Sequence, residues 1–106
     1  MIQCRVFVRF AESSGIARSV MHADISLPSV PREGEFVYFQ SQDHRQPLRA
    51  PVMPGIWYHA NKSRVDFAVR DQPADQLEQL RATFRLFGFT DSEPPYPWEA
   101  DFLSRA

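Results

Sequence analysis

The 106-residue sequence has one cysteine, Cys4, and only four glycines. A single cysteine excludes an intrachain disulfide and any metal site built from several cysteines. So few glycines leave little material for a glycine-rich phosphate-binding loop. The short motifs of nucleotide-binding folds, serine hydrolases and zinc proteases do not occur in the sequence. We therefore predict no cofactor, no metal and no assignable catalytic residue.

The chain also lacks a charge excess and a long apolar run. Twelve basic and thirteen acidic side chains give a net charge of −1, whereas nucleic-acid-binding domains usually carry a basic excess. Arg5 and Arg9 interrupt the first apolar stretch, and no uninterrupted segment reaches the length of a signal peptide or membrane span. These patterns predict a cytoplasmic protein without a membrane partner. Nucleic acid is not an expected partner, although Arg5, Phe7 and Arg9 would share one strand face.

The sequence does contain enough apolar material for one domain. Hydrophobic residues make up 43% of the chain, and nine of them are phenylalanine, which is typical of a soluble domain with a core rich in rings. Residues 1–89 carry eleven basic and nine acidic side chains, whereas residues 90–106 carry one basic and four acidic side chains and several prolines. We predict a single domain over residues 1–89 and a proline-rich acidic tail over residues 90–106 that docks on it.

Alternation of apolar and polar residues predicts the strands. Residues 2–10 have period two, which is typical of a half-buried strand, and residues 16–27 are expected to form a hairpin with them. The segment at residues 31–39 resembles the Pro-x-x-Gly turn and strand start of many small β-barrels, which implies a third strand but no function. Residues 41–55 contain three prolines and little periodicity, and we expect a long ordered loop there, either without regular structure or with one short strand near Val52 and Met53.

One helix is predicted near the C-terminus. Pro73 suits a first helical position, Asp75 and Glu78 have capping-box spacing, and Gly88 suits the residue after the helix. An apolar stripe recurs at steps of three and four: Leu77, Leu80, Phe84 and Phe87. Strands followed by one helix predict an α+β fold, with a curled or barrel-like, mostly antiparallel sheet of four to five strands and this helix packed on it.

A second hairpin supplies the candidate site. If Ala60 pairs with Ser63 around an Asn61-Lys62 turn, one face of the hairpin becomes apolar. We expect this face to point into the core with Ile56, Tyr58, Val65 and Phe67. The opposite face, called the hairpin face here, then carries Trp57, His59, Arg64 and Asp66. A large ring with a guanidinium and a carboxylate is typical of a recognition surface. Two alternatives remain open: the tail or loop covers the tryptophan, or Arg64 and Asp66 form an ordinary surface ion pair.

Two classes of function follow from these features. The first is a non-catalytic interaction module that presents the hairpin face to a protein partner, or that self-associates through an exposed strand edge. The alternative is a small enzyme or small-ligand-binding domain with a pocket between the sheet, the loop at residues 41–55 and the tail. That pocket would use His22, Asp24 or His59, since His22 and Asp24 lie two apart on one strand.

Overall fold

The computed structural model describes residues 1–41 and 44–98, apart from the side chains at positions 41 and 44–46. Strands dominate the described part of the chain, and one α-helix accompanies them. The strands are β1 (Ile2–Ala11), β2 (Ala17–Leu27), β3 (Phe36–Ser41), β4 (His44–His59), β5 (Arg64–Val69), β6 (Gln72–Pro73) and β7 (Thr90–Asp91), and the helix is α1 (Leu77–Leu86).

The strands form one curled mixed sheet in the order β3-β4-β5-β1-β2-β7, with β6 also paired to β1. Strand β1 is antiparallel to β2 but parallel to β5 and β6. The α+β class is confirmed, whereas the expected mostly antiparallel sheet of four to five strands is wrong in both size and type. Parallel pairing joins strands far apart in sequence through a crossover, so no local turn signals it.

The predicted loop over residues 41–55 is also wrong for the part that the structure describes. Strand β4 starts at His44 and pairs first with β3, where Val37 lies opposite Ala50, and then with β5, where Ile56 lies opposite Phe67. The two pairings of β4 overlap at Pro51 and Val52: Pro51 lies opposite Phe36 and its carbonyl accepts from the Arg70 N–H at 3.0 Å, whereas Val52 lies opposite Val69 and its N–H donates to the Glu35 carbonyl at 2.8 Å. Proline has no backbone N–H, so a strand tolerates it where its nitrogen faces no hydrogen-bond acceptor of a neighbouring strand. Positions 42 and 43 lie outside the described residues.

The register predicted for the second hairpin is confirmed. Tyr58 lies opposite Val65 and His59 opposite Arg64. The turn differs, because a 3-10 turn over Ala60–Lys62 ends on Ser63 in the left-handed conformation with φ 50°. Tyr58 is 70% exposed, which corrects the expectation that it points into the core with its apolar neighbours.

Helix α1 covers one face of the sheet. Phe84 meets Phe10 edge to face, with ring centroids 5.5 Å apart, and the rest of the predicted stripe packs on the same core. The predicted start is wrong: Pro73 pairs with Ala11 in β6, and the N-cap is Gln76 without a side-chain hydrogen bond. Gly88, with φ 91°, follows the helix as predicted. No helix in residues 1–41 and 44–98 is long and apolar enough to cross a membrane.

Candidate functional site

The face of the sheet opposite the helix carries polar side chains and is crossed by the tail. Strand β7 pairs with β2, with His22 opposite Thr90, and the Ser92 N–H donates to the Val20 carbonyl at 2.9 Å. We call this surface the tail face. The predicted docking of the tail concerns residues 90–106, and the structure describes only residues 90–98 of that segment.

Aromatic rings fix the tail to the sheet. The Trp98 ring meets Phe7 edge to face at a centroid distance of 5.5 Å and lies 6.2 Å from the Trp57 ring. The Tyr96 ring stacks on Trp98 at 4.9 Å, and the Arg9 guanidinium lies 5.8 Å from the centroid of the Trp98 ring. Trp57, the central ring of the hairpin face, is therefore half-buried and already contacts its own tail.

Asp66 is the buried charge of the site, with only 1% of its surface exposed. Arg64 holds it with two nitrogens, Nε at 2.7 Å from Oδ1 and Nη2 at 3.2 Å from Oδ2. His59 Nε2 lies 2.8 Å from Oδ2, but its N–H is not aligned for a hydrogen bond. The ordinary surface ion pair considered above is wrong for Asp66, because β5 lies inside the sheet between β4 and β1 and the tail crosses above it.

A second pair lies on the adjacent strands. Arg5 donates from Nε and Nη2 to the two carboxylate oxygens of Asp24 at 2.7 and 3.1 Å. This hydrogen bonding lowers the pKa of Asp24 and raises the pKa of Arg5. Burial, followed by the positive charge of Arg5, lowers the pKa of His22. His22 and Asp24 do share one face, but Asp24 is engaged by Arg5.

A cavity of about 200 Å³ separates the sheet from the tail, and we call it the tail pocket. Three residues of the hairpin face line it, namely His59, Arg64 and Asp66, whereas Trp57 does not. Arg5 and Phe7 from β1 and Lys62 from the hairpin turn complete the sheet side, and Ser92, Glu93, Pro95, Tyr96 and Pro97 form the tail side. The tail pocket therefore lies between the sheet and the tail, and none of its described lining residues comes from positions 41–55.

Gly55 shapes the neighbourhood of Trp57. Its φ is 94°, and a Cβ added there would lie 3.3 Å from Trp57 Cη2. Glycine adopts this conformation without strain and lets the indole ring approach the backbone closely. Sequence reasoning missed this position, although an isolated glycine in a strand pattern is a known sign of close approach.

A larger, more open concavity of about 820 Å³ lies beyond the β1–β2 turn. Its charged side chains include Glu12, Arg18 and Asp71, and these already form ion pairs, Arg18 with Glu12 at 3.0 Å and Asp71 with Arg9. It has no buried charged group. The tail pocket, which does have one, is therefore the stronger candidate site.

Sequence reasoning missed several pocket residues. The sequence pattern places Arg5 on a surface with Phe7 and Arg9, because its position beside Asp66 depends on the parallel pairing of β1 with β5. The sequence predicts Lys62 only as a turn residue, and the predicted docking of the tail does not specify which residues of the sheet it contacts. No group of three or more His, Cys, Asp or Glu side chains within the described residues can hold a metal ion.

Comparisons of the chain with protein-family models, with curated proteins and with solved structures found no match.

Proposed function

We propose that the protein is a small-ligand-binding domain that holds a small polar molecule in the tail pocket. One observation carries this proposal: the buried Asp66, hydrogen-bonded by Arg64 and with His59 Nε2 2.8 Å away, lines a cavity of about 200 Å³. Burying charges costs free energy, and an apolar replacement of a buried ion pair is often at least as stable. A polar floor beneath an open volume therefore favours binding over a purely structural role.

The size of the cavity limits the ligand. Pockets for drug-sized molecules usually span about 300–1,000 Å³, and the tail pocket is smaller than this range. Its walls combine rings from Phe7 and Tyr96 with the charged floor, which resembles the mixture of apolar walls and few polar groups common in ligand sites. We assign binding and no reaction to the pocket, because His59, Arg64 and Asp66 already contact one another.

A two-dimensional ¹H–¹⁵N NMR titration with small anionic, cationic and neutral compounds tests this function. We expect saturable shifts concentrated at residues 59–66 and 92–97. The variant Ser92→Phe, which places a ring in the pocket wall, abolishes them, whereas Ser26→Phe, at an exposed position of β2 outside the pocket, leaves them unchanged. If no compound gives saturable shifts at these residues, the proposed function is wrong.

A second candidate function, self-association, is favoured by strand β3. It lies at the edge of the described sheet, contains neither charge nor proline, and exposes Phe36 and Tyr38 by 52% and 59%. Natural edge strands usually carry a charged residue or a proline, which prevents pairing with another chain. The Val52 N–H donates to the Glu35 carbonyl at 2.8 Å, so the alternation of a strand directs the backbone groups of Phe36 and Tyr38 away from β4.

The occupant proposed for this edge is a second copy of the chain, paired antiparallel through β3. Two uncharged strands meet without like-charge repulsion, and a two-fold axis pairs Phe36 of each copy with Tyr38 of the other. Sedimentation equilibrium tests this pairing. We expect a concentration-dependent dimer that Tyr38→Lys converts to monomer, whereas Tyr58→Lys, at a ring outside β3 that is 70% exposed, has no effect. A wild-type monomer at all concentrations contradicts the pairing.

A further inference from the structure

Two arginines of the tail pocket hold their carboxylates in the same way. Arg5 uses Nε and Nη2 for Asp24, and Arg64 uses Nε and Nη2 for Asp66. A guanidinium has five N–H groups. The two N–H groups on Nη1 of each arginine have no hydrogen-bond partner among the described groups of residues 1–41 and 44–98, which exclude the side chains at positions 41 and 44–46.

The same pairing orients both guanidinium groups. The side chains of Arg5 and Arg64 are only 28% and 18% exposed, and a two-point contact with a carboxylate fixes the plane of the guanidinium. Arg5 and Asp66 are partners in the parallel register of β1 and β5, so the two arginine pairs lie on neighbouring strands. Both arginines line the tail pocket.

Acceptors for a cationic ligand are scarce at the same place. Among the described lining residues, Asp66 and Glu93 are the two carboxylates. Asp66 is already contacted by Arg64 and His59, and Glu93 is exposed on the tail. Lys62 adds a further positive charge at the exposed hairpin turn. The unengaged polar groups of the pocket are therefore mainly N–H donors on cations.

We propose that the ligand of the tail pocket is a small oxyanion, a carboxylate or a phosphate, bound by the Nη1 groups of Arg5 and Arg64 with Lys62 at the rim. The inference rests on the proposed function of the pocket and adds the chemical class of the ligand. Planar guanidinium groups bind both oxyanions through paired, charge-assisted hydrogen bonds, and this geometry matches them better than a point charge does.

The test compares four probes on the full chain at constant pH and ionic strength: acetate, inorganic phosphate, neutral acetamide and methylammonium. The signals of the arginine Nε–H groups and of the backbone at residues 92–97 are followed by NMR. We expect saturable shifts with at least one of the two anions and none with acetamide or methylammonium. The anion that binds with the higher affinity shows whether the ligand is a carboxylate or a phosphate.

Matched charge variants separate a local contact from the overall charge. Lys62→Gln removes the rim cation and is expected to weaken anion binding about threefold, the range of a partly exposed charge contact. Arg70→Gln removes the same charge at an exposed position outside the pocket and is expected to change the affinity much less. Equal weakening by both variants overturns the local assignment.

The two proposals fail in different ways. Saturation by acetamide or methylammonium with no response to either anion overturns the oxyanion inference and leaves the pocket as a binding site for another class of ligand. If none of the four probes, nor any compound of the wider titration, gives saturable shifts at the pocket, the proposed function fails together with the inference.

Discussion

The two faces of the central strand β1 are stabilised by different physics. On the helix side, Cys4, Val6, Val8 and Phe10 are almost completely buried among side chains of the same kind. On the tail side, arginines meet aspartates through two nitrogens each: Arg5 with Asp24, Arg9 with Asp71 and, on β5, Arg64 with Asp66. Apolar burial is non-directional, whereas each of these pairs depends on one register and one geometry.

This difference predicts which face of β1 tolerates amino-acid substitutions and which does not. An apolar core accepts many residues of similar volume. The tail face loses a partner whenever one charged residue changes, and the remaining charge stays partly buried. The helix side is therefore expected to carry most of the stability, and the tail side the specificity of the fold and the candidate site.

The largest effect is expected on the helix side. Phe84→Ala removes a ring that is 2% exposed and touches both Phe10 and Phe89, and a buried phenylalanine truncated to alanine costs about 3–5 kcal/mol. Urea unfolding gives the free energy of unfolding of variant and wild type. Leu86→Ala, at a 48% exposed position of the same helix, serves as the control and is expected to cost far less. A similar loss for both variants would contradict the assignment of this face as the core.

The next effect is expected at the buried charge of the tail side. Asp66→Asn keeps the shape but removes the negative charge that faces Arg64 and His59, and should lower the free energy of unfolding by about 2–3 kcal/mol. Solvent access to Arg64, whose side chain is 18% exposed, limits the loss. Asp75→Asn, at an exposed position, is the matched control and is expected to stay within about 0.5 kcal/mol of wild type. A tolerated Asp66→Asn would show that the pair adds little to stability.

A smaller effect is expected where the strand bends beneath the indole ring. Gly55→Ala combines a φ of 94° with a Cβ 3.3 Å from Trp57, whereas Gly34→Ala combines a φ of 85° with no atom within 4 Å. Backbone strain alone costs about 1 kcal/mol at each position. Thermal unfolding should therefore show the larger loss for Gly55→Ala, accompanied by a change in tryptophan fluorescence. Equal losses would mean that the indole ring moves away freely.

The smallest effect is a pH dependence on the tail side. Burial, and then Arg5, lower the pKa of His22 below its ordinary value of 6.5. The unfolded chain then binds the proton more readily, so this contribution to stability is complete above about pH 6.5 and is lost as the pH falls through the folded pKa. His22→Gln should reduce the fall in the free energy of unfolding between pH 7.5 and 5. Asp24, whose lowered pKa starts from 3.8, contributes only below this range. Identical slopes for variant and wild type would contradict the prediction.

Sequence reasoning succeeded where neighbouring residues carry the pattern. The β1–β2 hairpin, the register of His59 opposite Arg64 and the helical stripe around Phe84 are all confirmed. Each depends on period two or on steps of three and four, which appear within one short segment. The same register brought three of the four predicted site residues to one pocket, although no pattern showed that the tail would cross them.

The failures share a physical cause. The prolines of β4 predicted a loop, because one sequence does not show which side of a strand lacks a partner. Asp66 was expected on a surface, because its burial depends on the parallel neighbour β1 and on the tail, which lie far from it in sequence. The cytoplasmic location and the class of partner remain predictions.

The sequence by itself determined the period of its strands, the apolar stripe of its helix and the register of its second hairpin, because local sterics and side-chain alternation act over a few residues. Only the tertiary structure decided that β1 lies parallel to β5 and that β4 pairs with β3 along its first part and with β5 along its second. It also decided that the tail crosses the buried carboxylate of Asp66. These features depend on contacts between distant segments, and their free energy depends on burial and pairing that no short stretch of sequence contains.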